Sequence, residues 1–149
     1  MAKGKCIAID MDDTFIIPSE SSASSPKARP LRENCPRLVD GAFEILRSTR
    51  DLARKFGYVF VVLSNNYSAS AICDAAGVSC LFDEIIYANN MYTKSVSLHS
   101  AGYDAELSWL VDDKMENILQ FERGCAGGVC VNDWDLRAAY LSLVARLEK

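Results

Sequence analysis

The chain has 149 residues, half of them apolar and 24% charged, with a formal net charge of −4. That length fits one domain with a core of its own, and that charge argues against a protein that coats nucleic acid or an anionic membrane. No apolar run approaches the roughly 20 residues of a membrane helix.

The start, MAKGKCIAIDMDD, passes from a short basic stretch into an apolar run too brief for a signal peptide and broken by aspartates. That run, residues 5–10 (KCIAID), reads as a buried strand ending in a carboxylate. Residues 15–36, rich in serine and proline from Pro18 onward, are expected to form an exposed flap. Residues 39–56 carry Val39, Phe43, Leu46, Leu52 and Phe56 at helical spacing, and Gly57 ends the helix. Residues 59–63 (VFVVL) are nearly all β-branched or aromatic, which suits a parallel strand buried on both faces.

Ser68 is positioned to cap a short helix over 69–76, closed by Gly77. A brief strand is expected at 85–87, a short helix at 94–101 and a strand at 107–111 (LSWLV). A helix at 115–123 and a strand at 128–131 (GVCV) follow. A final helix is expected over 133–147, with Leu136, Tyr140, Leu143 and Leu147 on one face. Strands alternating with helices imply a single α/β domain spanning 1–149. It should be a three-layer α/β/α, Rossmann-like fold whose five-stranded sheet is mainly parallel, with right-handed crossovers.

Of the six cysteines, Cys6, Cys35, Cys73, Cys80, Cys125 and Cys130, none forms a CxxC pair. A zinc site therefore has little support, and the thiols are expected to be reduced, small core residues of a cytoplasmic protein.

Four polar pieces fall just after four different expected strands: Asp10-Met11-Asp12-Asp13-Thr14, Ser64-Asn65-Asn66, Lys94, and Asp112-Asp113. In a parallel sheet the carboxyl ends of the strands share one edge, where such folds bind ligands. Singly, each piece has an ordinary reading: a solvated turn for Asp10 to Asp13, a turn cap for Ser64, a surface charge for Lys94, a helix cap for Asp112-Asp113. Together they bring several carboxylates to one lysine and one hydroxyl. Carboxylates about 4 Å apart repel by roughly 4 kcal/mol at an effective dielectric near 20. Such a cluster calls for a cation, and hard oxygen ligands without histidine or thiolate favour Mg²⁺. A metal beside a lysine suits a phosphoryl group, whose oxygens both would neutralise.

This set of motifs resembles the haloacid dehalogenase (HAD-type) superfamily, in the order IAIDMDDT, VVLSNN, Lys94, WLVDDKMEN. The resemblance spans residue 5 to about residue 131, and within the superfamily the small magnesium-dependent phosphatases without a cap domain look nearest. It implies a phosphomonoester hydrolase working through an aspartyl-phosphate. Asp10 would be the nucleophile and Asp12 the general acid and base. Ser64, Asn65, Thr14 and Lys94 would meet the substrate phosphate, and Lys94 would also offset the charge on Asp10. Mg²⁺ would be held through Asp10, Asp12 (by its backbone carbonyl) and Asp113, with Asp112 and Asn117 orienting that shell. Asp13 stands where glycine is commoner.

Lys27, Arg29, Arg32 and Arg37 make the flap basic, so it either grips an anionic substrate or is simply solvated. Neither residues 15–39 nor 65–93 has room for a folded lid, so the site should be open. The partner is then a phosphorylated small molecule or macromolecule, with no membrane. Nucleic acid is a candidate that the net charge does not itself indicate. A polynucleotide 3′-phosphatase, a phosphoprotein phosphatase and a non-catalytic phosphate-binding module are the alternatives. A receiver-like module would carry its acceptor aspartate after the third strand, where this chain has Ala88 and Asn89.

Overall fold

The computed structural model describes residues 3–18 and 36–149. Five strands, β1 (Cys6–Ile9), β4 (Val59–Ser64), β5 (Glu84–Tyr87), β6 (Trp109–Asp112) and β7 (Gly127–Cys130), form one sheet in the order β5-β4-β1-β6-β7. All four pairings are parallel. Four helices, α1 (Ala42–Lys55), α2 (Ala69–Ala76), α3 (Lys94–Ser100) and α4 (Met115–Glu122), lie in the connections, and α5 (Leu136–Leu147) follows the last strand.

The alternation of β1 divides the core in two, because successive side chains point to opposite faces. Ile7 and Ile9 join Phe60, Val62 and Val111 against α1, α2 and α5. Cys6 and Ala8 join Val61, Leu63 and Leu110 against Leu98 of α3 and Ile118 and Phe121 of α4. This is the three-layer α/β/α arrangement, and the described residues contain no further domain inserted into it. Burial pushes the Cys6 and Cys73 thiols up to about 12, as befits small core side chains. No helix among the described residues is long and apolar enough to cross a membrane.

Several boundaries differ from the expectations above. Phe15 and Ile16 are fully buried rather than part of an exposed flap. They lead into β2 (Ile16–Ile17), which pairs antiparallel with β3 (Arg37–Leu38). Lys27, Arg29 and Arg32 lie outside the described residues, and Arg37 is exposed on β3.

The Ser68 side chain does not cap α2. Instead the Asn66 Oδ1 accepts from the Ser68 backbone N–H at 2.9 Å. Residues 105–107 form a 3-10 turn, which delays β6 to Trp109. The final helix begins at Leu136 rather than 133, because Asp133 and Trp134 have φ of 52° and 63° and interrupt any helix there. Its cap is Asp135, whose carboxylate accepts from the Ala138 N–H at 3.0 Å. Its buried residues are Leu136, Ala139 and Leu143, with Tyr140 and Leu147 only partly covered.

Candidate active site

The carboxyl ends of β1, β4 and β6 lie side by side, which brings Asp10, Ser64 and Asp112 to one edge. Lys94 enters from the first turn of α3. Its ammonium donates to Asp10 Oδ1 at 3.0 Å and to the Leu63 carbonyl at 2.6 Å, and it lies 3.7 Å from Asp112 Oδ2. Lys94 is only 6% exposed, Asp10 9% and Asp112 0%, so these charges face one another with little water between them.

Thr14 is fully buried beneath the carboxylates. Its hydroxyl lies 3.2 Å from Asp10 Oδ2 and 3.4 Å from Asp113 Oδ1. Thr14, expected to meet the substrate phosphate, is thus placed with its hydroxyl on the acids, where it holds them in position. The turn that carries it is fixed by backbone bonds from Thr14, Phe15 and Ile16 to the Met11 carbonyl. Asp13 takes a left-handed φ of 64°, which glycine adopts freely and aspartate tolerates better than most residues.

Asp112 is held in turn. Its Oδ1 accepts from the Lys114 N–H and its Oδ2 from the Asn117 amide, both at 3.0 Å. Asp10, Asp112 and Asp113 each present an oxygen within 4.8 Å of the others, so this group could hold a metal ion. The donors are all carboxylate oxygens, the set a hard divalent cation accepts. Lys94 contacts two of the three, which leaves negative charge for a cation to balance. Burial pushes the Asp10 carboxyl above its ordinary range, with Asp112 adding to the shift and Lys94 opposing it. Burial and the Asp112 carboxylate also raise Asp113.

Asp12 is not in the three-carboxylate group. Its Oδ2 accepts from the Asn66 amide at 3.2 Å. Asn66 is thus a site residue whose function the sequence left unassigned, although it stands in the same SNN motif. The Ser64 hydroxyl accepts from the Asn66 N–H at 3.1 Å. The Leu63 carbonyl is a second partner without a side-chain signal, since any residue would supply it. Asn65 is exposed and shares a cavity of about 240 Å³ with Lys94, Tyr92, Thr93, Asn117 and Gln120.

Neither a protein-family model nor a curated protein matches the sequence. Solved structures do match the fold. A haloacid dehalogenase-like hydrolase from Streptococcus pneumoniae superposes with a TM-score of 0.62 at 12% identity, over 95% of this chain and 97% of that one. A HAD-superfamily hydrolase from Ehrlichia chaffeensis gives a TM-score of 0.60 at 13% identity, over 100% of both chains.

The chain has a haloacid dehalogenase-like fold. A further HAD-like structure, a HAD family hydrolase from Deinococcus radiodurans with bound phosphate and sodium, matches at a TM-score of 0.53 and 14% identity over 98% of each chain. At these identities the likeness concerns architecture, and the chemistry rests on the side chains at this chain's own carboxyl edge.

Proposed function

We propose that the protein is a HAD-superfamily phosphomonoester hydrolase of the small type without a cap domain, dependent on Mg²⁺ and working through an aspartyl-phosphate on Asp10. The observation that carries this reading is the 3.0 Å contact between the Lys94 ammonium and Asp10, beside the Asp10, Asp112 and Asp113 oxygens that lie within 4.8 Å of one another. A buried carboxylate held between a lysine and a cation site is oriented and charge-balanced for attack on an anion that would otherwise repel it. The phosphate bound in the Deinococcus radiodurans structure supports the same direction.

In this reading a carboxylate oxygen of Asp10 bonds to phosphorus as the ester P–O bond breaks. The departing oxygen takes a proton from Asp12. The Asp12 carboxylate then takes a proton from water, whose oxygen attacks phosphorus, releases inorganic phosphate and restores Asp10 and protonated Asp12. Thr14 and Lys94 hold one oxygen each of Asp10 and so fix the plane of the carboxylate. Ser64 accepts from Asn66 and keeps its own hydroxyl proton for a phosphate oxygen, which Lys94 also meets. Asp10, Asp113 and the Asp12 carbonyl would hold the metal, with Asp112 fixed by Asn117 and Lys114 behind them. When bound, the cation supplies charge neutralisation of the phosphoryl oxygens.

The test is hydrolysis of a broad panel of phosphate esters with Mg²⁺, with EDTA, and with Asp10→Asn. Turnover should be abolished by EDTA and fall at least about 10³-fold in the variant, as expected when a nucleophile is removed. Full activity in Asp10→Asn would overturn the nucleophile assignment. Metal binding with no turnover on any ester would favour a phosphate-binding module instead.

A further inference from the structure

The two flanks of the site differ in character. On the β6–β7 side, Asp13, Asp113 and Asp133 border a cavity of about 440 Å³ together with Asn132 and Trp134. On the β5 side, the smaller cavity that contains Lys94 is lined by neutral groups, among them Asn65, Met91, Tyr92 and Gln120. An additional negative charge on a leaving group would meet three carboxylates on the first side and none of them on the second.

Two large side chains with apolar surface stand exposed among the polar groups of that side. Met91 is 82% exposed and Tyr92 62%. The turn that presents them is built, not loose: Asn89 accepts from the Met91 N–H through its side chain at 2.9 Å and from the Tyr92 N–H through its carbonyl at 3.1 Å. Thr93 then caps α3 by accepting from the Val96 N–H. Two further rings continue this edge. Tyr87, the last residue of β5, is in register with Ser64 and packs edge-on to Tyr67, with ring centroids 6.5 Å apart.

Resting on the phosphomonoesterase reading, we infer that the substrate's leaving group is flat and lies on the side away from Asp13, Asp113 and Asp133. It lies against Tyr92 and Met91 beside Lys94, with Asn65 and Gln120 meeting its polar edges. Tyr92 is then a specificity-determining residue and takes no part in the bond changes. A ring face on Tyr92 strengthens binding of the ground and transition states alike, so the preference should show chiefly in KM.

The experiment compares phenyl phosphate with glycerol phosphate, both with uncharged leaving groups but only the first flat. The wild type, Tyr92→Ala and Tyr92→Phe are assayed with Mg²⁺, and the readout is the ratio of kcat/KM for the two esters. Tyr92→Ala should lower that ratio about fivefold, mainly through KM for phenyl phosphate, and Tyr92→Phe should keep it, since the ring face is retained. A ratio within about twofold of the wild type in Tyr92→Ala, against the fivefold expected for a lost ring contact, would overturn the inference alone. Turnover of neither ester by the wild type would overturn the hydrolase reading and this inference with it.

Discussion

Lys94 concentrates the electrostatics of the molecule. Its ammonium is 6% exposed and serves Asp10, Asp112 and the Leu63 carbonyl at once. Removing one partner of such a buried pair leaves uncompensated charge, at a cost of about 3 kcal/mol or more. Lys94→Met, which keeps the chain length, should therefore lower the unfolding free energy by about that amount in urea titrations without metal. A loss below about 1 kcal/mol, the value of a solvated pair, would mean that the lysine does not balance Asp10. At this scale the sequence was informative where a side chain carries the signal: Asp10, Lys94, Asp112 and Asp113 follow expected strands or open a helix. It was silent on Leu63, whose contribution is a backbone oxygen. It could not show the contacts of Thr14 with Asp10 and Asp113, because a hydroxyl four residues after an aspartate reads the same whether it faces substrate or bonds to the acid.

Among the elements, β7 poses a problem of its own, since an edge strand exposes unpaired backbone groups. Here Gly128 turns outward, and both of its backbone groups are taken by side chains. Its N–H is 3.4 Å from Glu122 Oε2, and its carbonyl accepts from Arg146 at 2.8 Å. Arg146 also lies over the Trp109 ring at 4.9 Å. That ring packs so close to Gly127 that an added Cβ would lie 2.5 Å from it. The clasp thus protects the edge and seals the end of the sheet. Arg146→Ala should cost about 1 kcal/mol of stability and raise self-association, read by light scattering against the wild type. An unchanged scattering profile would remove the protective role. Element positions were legible because β4 is an unbroken apolar run up to Ser64 and α1 carries a strong apolar stripe. The start of α5 was not, since Asn132-Asp133-Trp134-Asp135 offers two aspartates as caps and only the backbone conformation decides between them. β2 and β3, two residues each, are too short to show any alternation.

For the whole molecule, the order β5-β4-β1-β6-β7 puts β1 at the centre, so the strand bearing Asp10 is supported on both sides. A parallel sheet was legible from the strand–helix alternation, whereas strand order depends on contacts between distant segments that no local pattern encodes. The chemistry occupies the carboxyl edge, and a separate tie closes the opposite end. There Lys3 and Gly4 bond by their backbones to residues 102 and 104, and the Lys3 ammonium and Tyr103 hydroxyl both donate to Glu84, at 3.0 and 2.6 Å. Burial works against the Glu84 charge, but the Tyr103 and Lys3 hydrogen bonds outweigh it and hold the carboxyl below its ordinary range. Burial and the same carboxylate raise the Tyr103 hydroxyl. A lowered carboxyl contributes stability above its unfolded value of about 4.3 and loses it as pH falls through the lower folded value. A raised phenol contributes fully below its unfolded value of about 10 and loses that as pH rises toward the folded value. Tyr103→Phe should therefore cost about 1 kcal/mol, an estimate kept low because Glu84 is 37% exposed to screening solvent. That cost should be flat from about pH 5 to 9 and shrink on either side. Urea titrations of both proteins across that span would check it, and a cost unaltered in acid would show that Glu84 is not the partner that matters.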